Sequence, residues 1–203
     1  MVEDTGERVI PAFMKPTNNL LLEHIARYQF ALHYMRGRVL DLSCGSGYGT
    51  HMIAKQCKED IDEIVGVDID PDIITYARGA YYHPKSRFEA ADAIEPALVD
   101  KLGTFDVIVS FETYEHISEE KALLDNYYRL LNKGGTLLVS TPFGEGRGID
   151  CGSPFHVHQL KPEEFHELFK PYSACEFYYQ KGVLIEPRRE GVYYPLGIAL
   201  CKK

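Results

Sequence analysis

The sequence predicts an α/β fold: a doubly wound, mostly parallel sheet finished by an antiparallel strand at its C-terminal end. Three observations carry this. Short apolar runs alternate with helical segments in β-α-β-α order from residue 38. The first run enters a glycine-rich turn. The last 28 residues or so are β-rich and punctuated by Pro and Gly, the pattern of an added antiparallel edge.

Asn18-Asn19 can cap a helix in which Leu22, Ile25, Tyr28, Phe30 and Leu32 recur at helical spacing until Gly37, so residues 1–17 read as an arm. A strand follows at 38–42, a helix from about 47, and a strand ending in Val65-Gly-Val-Asp68. Asp70 with Pro71 opens the next helix as N-cap and first helical residue. A third strand is expected at 86–91 and a fourth at Phe105–Phe111. Ser118 is the expected N-cap of a helix whose stripe is Leu123, Leu124, Tyr127, Leu130 and Leu131, ended by Gly134-Gly135. The fifth strand, Thr136–Ser140, runs into a glycine-rich loop, Thr141–Phe155, suited to a lid, and a short helix has Pro162 in its first turn. Glu176–Ile185 and Gly191–Cys201 read as a hairpin joined through Pro187-Arg-Arg-Glu-Gly191.

With 203 residues and 45 % apolar composition, residues 1–203 suit a single domain that needs no disulfide staples. Within it, 1–36 form an arm and helix that act as a cap, 37–141 a ligand-binding core, and 142–203 a substrate loop, helix and hairpin. The net charge of −8 and the lack of any basic cluster longer than Arg188-Arg189 argue against an extended nucleic-acid partner. Five cysteines without C-x-x-C spacing fit a reducing, cytoplasmic setting. No apolar run reaches the roughly 20 residues of a membrane span, so no membrane partner is expected.

Gly45 and Gly47 allow a tight turn and close backbone approach, and the following helix N-terminus favours an anionic group. A nicotinamide dinucleotide would set its pyrophosphate near Asp41, and Thr50 replaces the third glycine of its fingerprint. S-adenosylmethionine (SAM) carries a sulfonium, an ammonium and a carboxylate, so an acid beside a helix N-terminus can serve both its ends. Asp68, 27 residues after Asp41 at the end of the second strand, is placed to accept from ribose hydroxyls, with Ile69 against adenine; its alternative role is capping, for which Asp70 is better placed. Asp92, with Ala93, follows the third strand, where an acid can hold the adenine amino group, or can be a solvated turn residue.

Val39-Leu-Asp41-Leu-Ser43-Cys-Gly45-Ser-Gly47-Tyr-Gly49, Gly66-Val-Asp68-Ile-Asp70, Phe105-Asp-Val-Ile-Val-Ser-Phe111-Glu112 and Leu131-Asn-Lys-Gly-Gly-Thr-Leu-Leu-Val-Ser140 resemble, in order, the motifs of class I SAM-dependent methyltransferases. Thr5-Gly-Glu-Arg8 with Arg27-Tyr28 resembles the N-terminal signature of one bacterial subgroup, often linked to sugar or polysaccharide modification. The resemblance implies a Rossmann-like, seven-stranded sheet with an antiparallel last strand. It places SAM at Asp41, Ser43, Gly45, Gly47, Asp68, Ile69, Asp92, Ala93 and Phe111, with the acceptor entering beside the fourth strand.

There, Phe111-Glu112-Thr-Tyr-Glu115-His116 gathers two carboxylates and an imidazole. Singly each has a bland reading, as exposed turn acids and a packing histidine. Together they form a candidate catalytic group, His116 serving as general base with Glu112 and Glu115 beside it. Alternatively Glu112, Glu115, His116 and the distant His156 supply an oxygen- and nitrogen-rich set for a divalent cation. That E-x-x-E-H pattern resembles the metal sites of small-RNA 2′-O-methyltransferases and ubiquinone-pathway catechol O-methyltransferases. A metal would acidify and position a diol or catechol hydroxyl. His158 reads as exposed or lid-associated, and Arg147 as either an acid-binding or a merely solubilising residue. Tyr81-Tyr82 and Tyr127-Tyr128 read as pairs straddling core and surface. The expected function is therefore SAM-dependent O-methylation of a small molecule or carbohydrate hydroxyl. The alternatives are a non-catalytic SAM-binding regulator and a nicotinamide-dependent oxidoreductase. The methyl acceptor, the methylated atom, metal dependence and oligomeric state are not encoded in any readable motif.

Overall fold

The computed structural model describes residues 8–203, so Thr5, Gly6 and Glu7 of the N-terminal signature lie outside the described residues. Strands β1 (Gly37–Leu42), β2 (Ile61–Asp68), β3 (Ser86–Ala90), β4 (Phe105–Phe111) and β5 (Leu131–Pro142) pair in parallel. The tail adds β6 (Ala174–Lys181), β7 (Leu184–Glu186) and β8 (Leu196–Lys202) by antiparallel pairing. The sheet order is β3-β2-β1-β4-β5-β8-β6-β7, a doubly wound α/β arrangement.

Among the described residues six α-helices occupy the faces: α1 (Asn19–Ala31), α2 (Tyr48–Gln56), α3 (Pro71–Ala80), α4 (Leu98–Leu102), α5 (Glu120–Leu130) and α6 (Pro162–Glu167). Adjacent residues of the central strands point to opposite faces and so feed separate cores. Leu40, Val65 and Ile108 pack with Leu98, Leu123, Tyr127 and Phe165, whereas Val39, Ile64, Val107 and Leu138 pack with Tyr28, Ala31 and Ile53. Burial on both faces explains why these strands read as unbroken apolar runs. A smaller cluster joins Ile10 of the arm to Cys44, Ile73, Ile74 and Phe88, and the Ser46 hydroxyl donates to the Val9 carbonyl at 2.7 Å, so the arm crosses the glycine turn.

Several expectations hold closely. Asn18 caps α1 by accepting from the Leu21 N–H at 3.1 Å, and Asp70 caps α3 by accepting from Asp72 and Ile73. Others are corrected. Among the described residues the sheet has eight strands rather than seven, because Gly182, at φ +58°, turns the chain back so that Leu184 pairs with Lys181. The tight hairpin thus falls at Gly182, and the segment from Pro187 is the longer connection that delivers β8 between β5 and β6. α1 gives way to a 3-10 turn, Leu32–Tyr34, before Gly37. Glu119, not Ser118, precedes α5, and β5 starts at Leu131, directly after that helix. Among the described residues no helix is long and apolar enough to cross a membrane.

Gly49 lies so close to Tyr28 that a Cβ there would sit 2.0 Å from the ring, whereas a Cβ at Gly79 on α3 meets nothing within 4 Å. Gly49→Ala is therefore expected to lower unfolding free energy by about 1–3 kcal/mol. Gly79→Ala should raise it by about 0.5–1 kcal/mol. Denaturant titration of the two variants measures both signs.

Candidate functional site

The strand order reverses between β1 and β4, which lie side by side although two strands separate them in sequence. In open α/β sheets the crevice outside the strand C-termini at that point is where ligands bind. Both edges of the crevice carry a non-glycine residue in the left-handed region, Ser43 after β1 (φ +67°) and Glu112 after β4 (φ +51°). Such backbone strain costs on the order of 1–3 kcal/mol and persists where surrounding contacts enforce it.

Asp41 lies beneath the turn, 0 % exposed. It accepts from the Thr50 hydroxyl at 2.6 Å and from the Tyr28 hydroxyl at 3.1 and 3.2 Å, and the Thr50 backbone N–H adds to these. Burial pushes its carboxyl up to about 7, and these hydrogen bonds act in the opposite direction. Tyr28 reaches Asp41 from α1 across the bare backbone of Gly49, and its ring stands edge-on to Phe111 at 5.2 Å. The turn continues through Gly45 (φ +53°) and Gly47 (φ +82°). Asp68 braces it from β2, one oxygen accepting from the Gly45 N–H at 2.9 Å and the other from the Asp70 N–H at 3.1 Å; burial raises its carboxyl as well. Ile69 is 67 % exposed at the same strand end. Asp92 accepts from the Ile94 N–H at 3.0 Å, and Ala93 is buried with its carbonyl bonded to Asn126. The nine positions from Asp41 to Phe111 thus sit on the C-terminal ends of β1 to β4 or the loops that follow.

Beyond Phe111 the chain makes a 3-10 turn, Tyr114–His116. Glu115 is 1 % exposed, accepts from the Thr141 hydroxyl at 3.1 Å, and has its carboxyl raised by burial and by the charge of Glu112. His116 is partly exposed, its Nδ1 2.9 Å from the Phe155 carbonyl oxygen and its Nε2 4.0 Å from Glu115. The His156 ring is perpendicular to that of His116 at 4.9 Å, with its Nδ1 2.9 Å from the Gln159 side-chain nitrogen. The glycine-rich loop is anchored here, since the Val157 N–H donates to the Glu115 carbonyl at 2.7 Å. One ligand atom each from Glu115, His116 and His156 lie within 4.8 Å of one another.

Glu112 does not join that group. Its left-handed backbone turns it to Ser140, whose hydroxyl donates to its Oε1 at 3.0 Å, and its Oε2 lies 4.0 Å from the buried Arg27. The four-residue ligand set expected from sequence is therefore three residues here. His158 is buried rather than exposed, its ring tilted against that of Tyr114 with centroids 4.9 Å apart, and its Nδ1 is 3.5 Å from Glu120. Arg147 pairs with Glu120 and donates to the Tyr114 hydroxyl at 3.1 Å, which ties the loop to the start of α5. A groove of about 650 Å³ runs along the flank of α5, between Leu124, Tyr128, Leu168 and Tyr172; Arg147 lines it, and none of the residues expected to bind SAM or a metal does. Sequence reasoning gave Thr50 only as a departure from a dinucleotide fingerprint, and Arg27 and Tyr28 only as part of a subgroup signature, Tyr28 also as part of an apolar stripe; none was assigned a role in the site. A tyrosine and an arginine side by side on the inner face of α1 are the signal that points to them.

A carboxyl raised on folding takes up a proton as the chain folds, between its unfolded value of about 4 and its folded value of about 7. Its contribution is thus full below pH 4 and lost as pH rises through 7. Relative to Asp41→Asn, the native chain should lose on the order of 1–4 kcal/mol of unfolding free energy across that window. Urea titrations of both chains from pH 4 to 8 measure it; a relative gain with rising pH contradicts the burial argument.

A family model described as a methyltransferase domain matches residues 35–186. A protein of Mycolicibacterium smegmatis, named a probable S-adenosylmethionine-dependent methyltransferase, is 33 % identical over 171 residues, covering 82 % of this chain and 63 % of its own. One of Mycobacterium tuberculosis with the same kind of name is 31 % identical, covering 81 % of this chain and 58 % of its own. The chain thus spans about three-fifths of the length of these relatives. A SAM-dependent methyltransferase structure from Archaeoglobus fulgidus superposes with a TM-score of 0.63 at 19 % identity, covering 92 % of this chain and 95 % of the other. The turn at Gly45–Gly47, the acids at successive strand ends and these matches converge, and the chain belongs to the methyltransferase domain family.

Proposed function

We propose that this chain is a SAM-dependent methyltransferase that methylates a hydroxyl oxygen of a small molecule or carbohydrate. The observation that carries this reading is the junction at β1 and β4. There the turn of Gly45 and Gly47, braced by Asp68 and with Asp41 buried beneath it, lies at the end of the strand beside β4, and the Glu115–His116–His156 group gathers just after Phe111 closes β4. The residues fit SAM. Each oxygen of Asp68 already accepts one hydrogen bond and keeps capacity for ribose hydroxyls, exposed Ile69 offers an apolar face for adenine, and Asp92 is placed for its amino group. When bound, SAM supplies a methyl carbon made electrophilic by its sulfonium.

The protein's part is alignment and proton removal. Holding acceptor oxygen and methyl group in line is worth roughly 7–11 kcal/mol of effective concentration. With the Phe155 carbonyl at its Nδ1, His116 carries its proton there, so Nε2 presents a lone pair toward Glu115, His156 and an incoming hydroxyl. Proton transfer of this kind contributes typically about 10²- to 10⁴-fold. Arg147 and His158 hold the loop against Tyr114 and Glu120, so the roof over this turn is pinned at both ends.

A second reading is favoured by one observation, the 4.8 Å grouping of ligand atoms from Glu115, His116 and His156. A divalent cation there would hold a vicinal diol or catechol and lower its hydroxyl pKa, with Gln159 beside His156 Nδ1 to orient that ring.

His116→Ala is expected to lower turnover by about 10²- to 10⁴-fold with SAM affinity near normal, and Asp68→Ala to weaken SAM with turnover of bound SAM retained. S-adenosylhomocysteine release with a panel of sugar and catechol acceptors, beside calorimetric SAM titration, separates the two; equal weakening of SAM by both substitutions contradicts the division of roles. No S-adenosylhomocysteine release with any acceptor, despite SAM binding, would favour a purely binding role. Exhaustive chelation followed by metal back-titration should abolish and restore turnover under the metal reading, and full activity without metal removes it.

A further inference from the structure

Strands β6 and β8 place two cysteines directly opposite each other, Cys175 and Cys201, 26 residues apart in the sequence. The backbone bonding around them decides which kind of opposed pair this is. The Lys203 N–H donates to the Gly135 carbonyl at 3.1 Å on the β5 side, and the Lys202 carbonyl accepts from the Ser173 N–H at 2.8 Å on the β6 side. Backbone groups of successive strand residues turn to alternate neighbours, so those of Cys201 turn to β5. Cys175 and Cys201 therefore meet at a non-hydrogen-bonded position, where opposed Cα atoms lie about 4.5 Å apart and side chains come closest. A disulfide spans Cα separations of about 4.4–6.8 Å, so this backbone already sets the two sulfurs for one.

The thiols are in hydrogen-bonding reach of each other, and that of Cys175 also faces the Phe169 carbonyl oxygen at 3.5 Å. Both belong to the core that holds Tyr127 and Phe165. Cys201 is fully buried and Cys175 partly exposed, so solvent reaches one member of the pair. Cys44, Cys57 and Cys151 all lie outside the strands. Burial raises both thiols of the pair above their ordinary range, so at neutral pH they stay protonated and react slowly.

We propose that Cys175 and Cys201 are an oxidisable dithiol, a reversible staple between β6 and β8 that peroxide closes. The Cys175 thiolate, its proton lost to water, attacks one oxygen of hydrogen peroxide; the O–O bond breaks, and a sulfenic acid and hydroxide result. The Cys201 sulfur then attacks the sulfenic sulfur, the S–S bond forms, the S–O bond breaks, and water leaves with the Cys201 proton. Two thiols are thus oxidised by two electrons and one peroxide is reduced to two waters. The loop so closed contains β7 and the Pro187–Gly191 connection, and its closure restrains the unfolded tail. Cys201 pairs on its other side with Leu137, whereas the crevice lies beyond the Pro142 end of β5, so the staple acts at the far end of the sheet from the candidate site.

The test treats the full chain with hydrogen peroxide, digests it without reductant and follows peptide masses, with urea unfolding of the treated chain in parallel. The peptides carrying Cys175 and Cys201 should appear joined and lighter by two hydrogens, and should form faster as pH rises. The oxidised chain should unfold at a urea midpoint about 1 M higher, and dithiothreitol should return it to its starting value. Cys175→Ala, on the partly exposed side, should abolish both the joined peptide and the shift, and it reports even if Cys201→Ala fails to fold. Oxidation of Cys175 that stops at the sulfinic acid, a joined peptide that pairs it with Cys57 or Cys151, or no modification of either cysteine overturns the assignment. A bond between Cys175 and Cys201 with an unchanged or lowered midpoint overturns the staple.

Discussion

The buried carboxylate of Asp41 is the constraint on which the rest of the site depends. It joins three elements that are not neighbours in the chain: β1, which carries it, α1 through Tyr28, and α2 through Thr50. A carboxylate taken wholly from water is costly unless hydrogen-bonded, and here two hydroxyls and a helix N–H supply the bonds. Those bonds fix where α2 begins, so the glycine turn is shaped from beneath. Tyr28 closes the arrangement by resting on Gly49 and edge-on against Phe111, which ties the β1 end of the crevice to the β4 end.

Above this frame the site is built in two ways. The donor side belongs to rigid sheet ends, with Asp68 bonded to Gly45 and the strained backbones of Ser43 and Glu112 held by their surroundings. The acceptor side is a 3-10 turn and a loop, joined by the contacts of Phe155 with His116 and of Val157 with Glu115. Under the proposed function, acceptor specificity would fall on a loop, the kind of segment that varies most among homologues, and donor binding on the core.

The central strands were legible because burial on both faces writes them as contiguous apolar runs, and Asp70-Pro71 is legible because capping is local chemistry. The tail was misread for an equally physical reason: Gly182 and the Pro187–Gly191 segment both carry turn signals, and only strand pairing decides which makes the tight hairpin. At the site, periodicity placed Asp41, Asp68, Asp92 and Glu112 at strand ends but said nothing of which way each side chain points. Asp41 faces the interior, and Glu112 faces Arg27 in place of the histidines. Thr50 counted as a departure from a dinucleotide fingerprint, and its positive role, holding Asp41, needed the third dimension. His158 lies among Tyr114 and Glu120 because the loop folds back on the 3-10 turn, a long-range contact with no local signature.

The most direct test of this account is a double-mutant cycle on unfolding free energy with Tyr28→Phe, Thr50→Val and the two combined. If both hydroxyls stabilise one buried carboxylate, their effects are coupled, and the interaction energy should exceed about 0.5 kcal/mol and vanish in an Asp41→Asn background. Additivity within about 0.3 kcal/mol in the native background would contradict the claim that Asp41 binds these elements together.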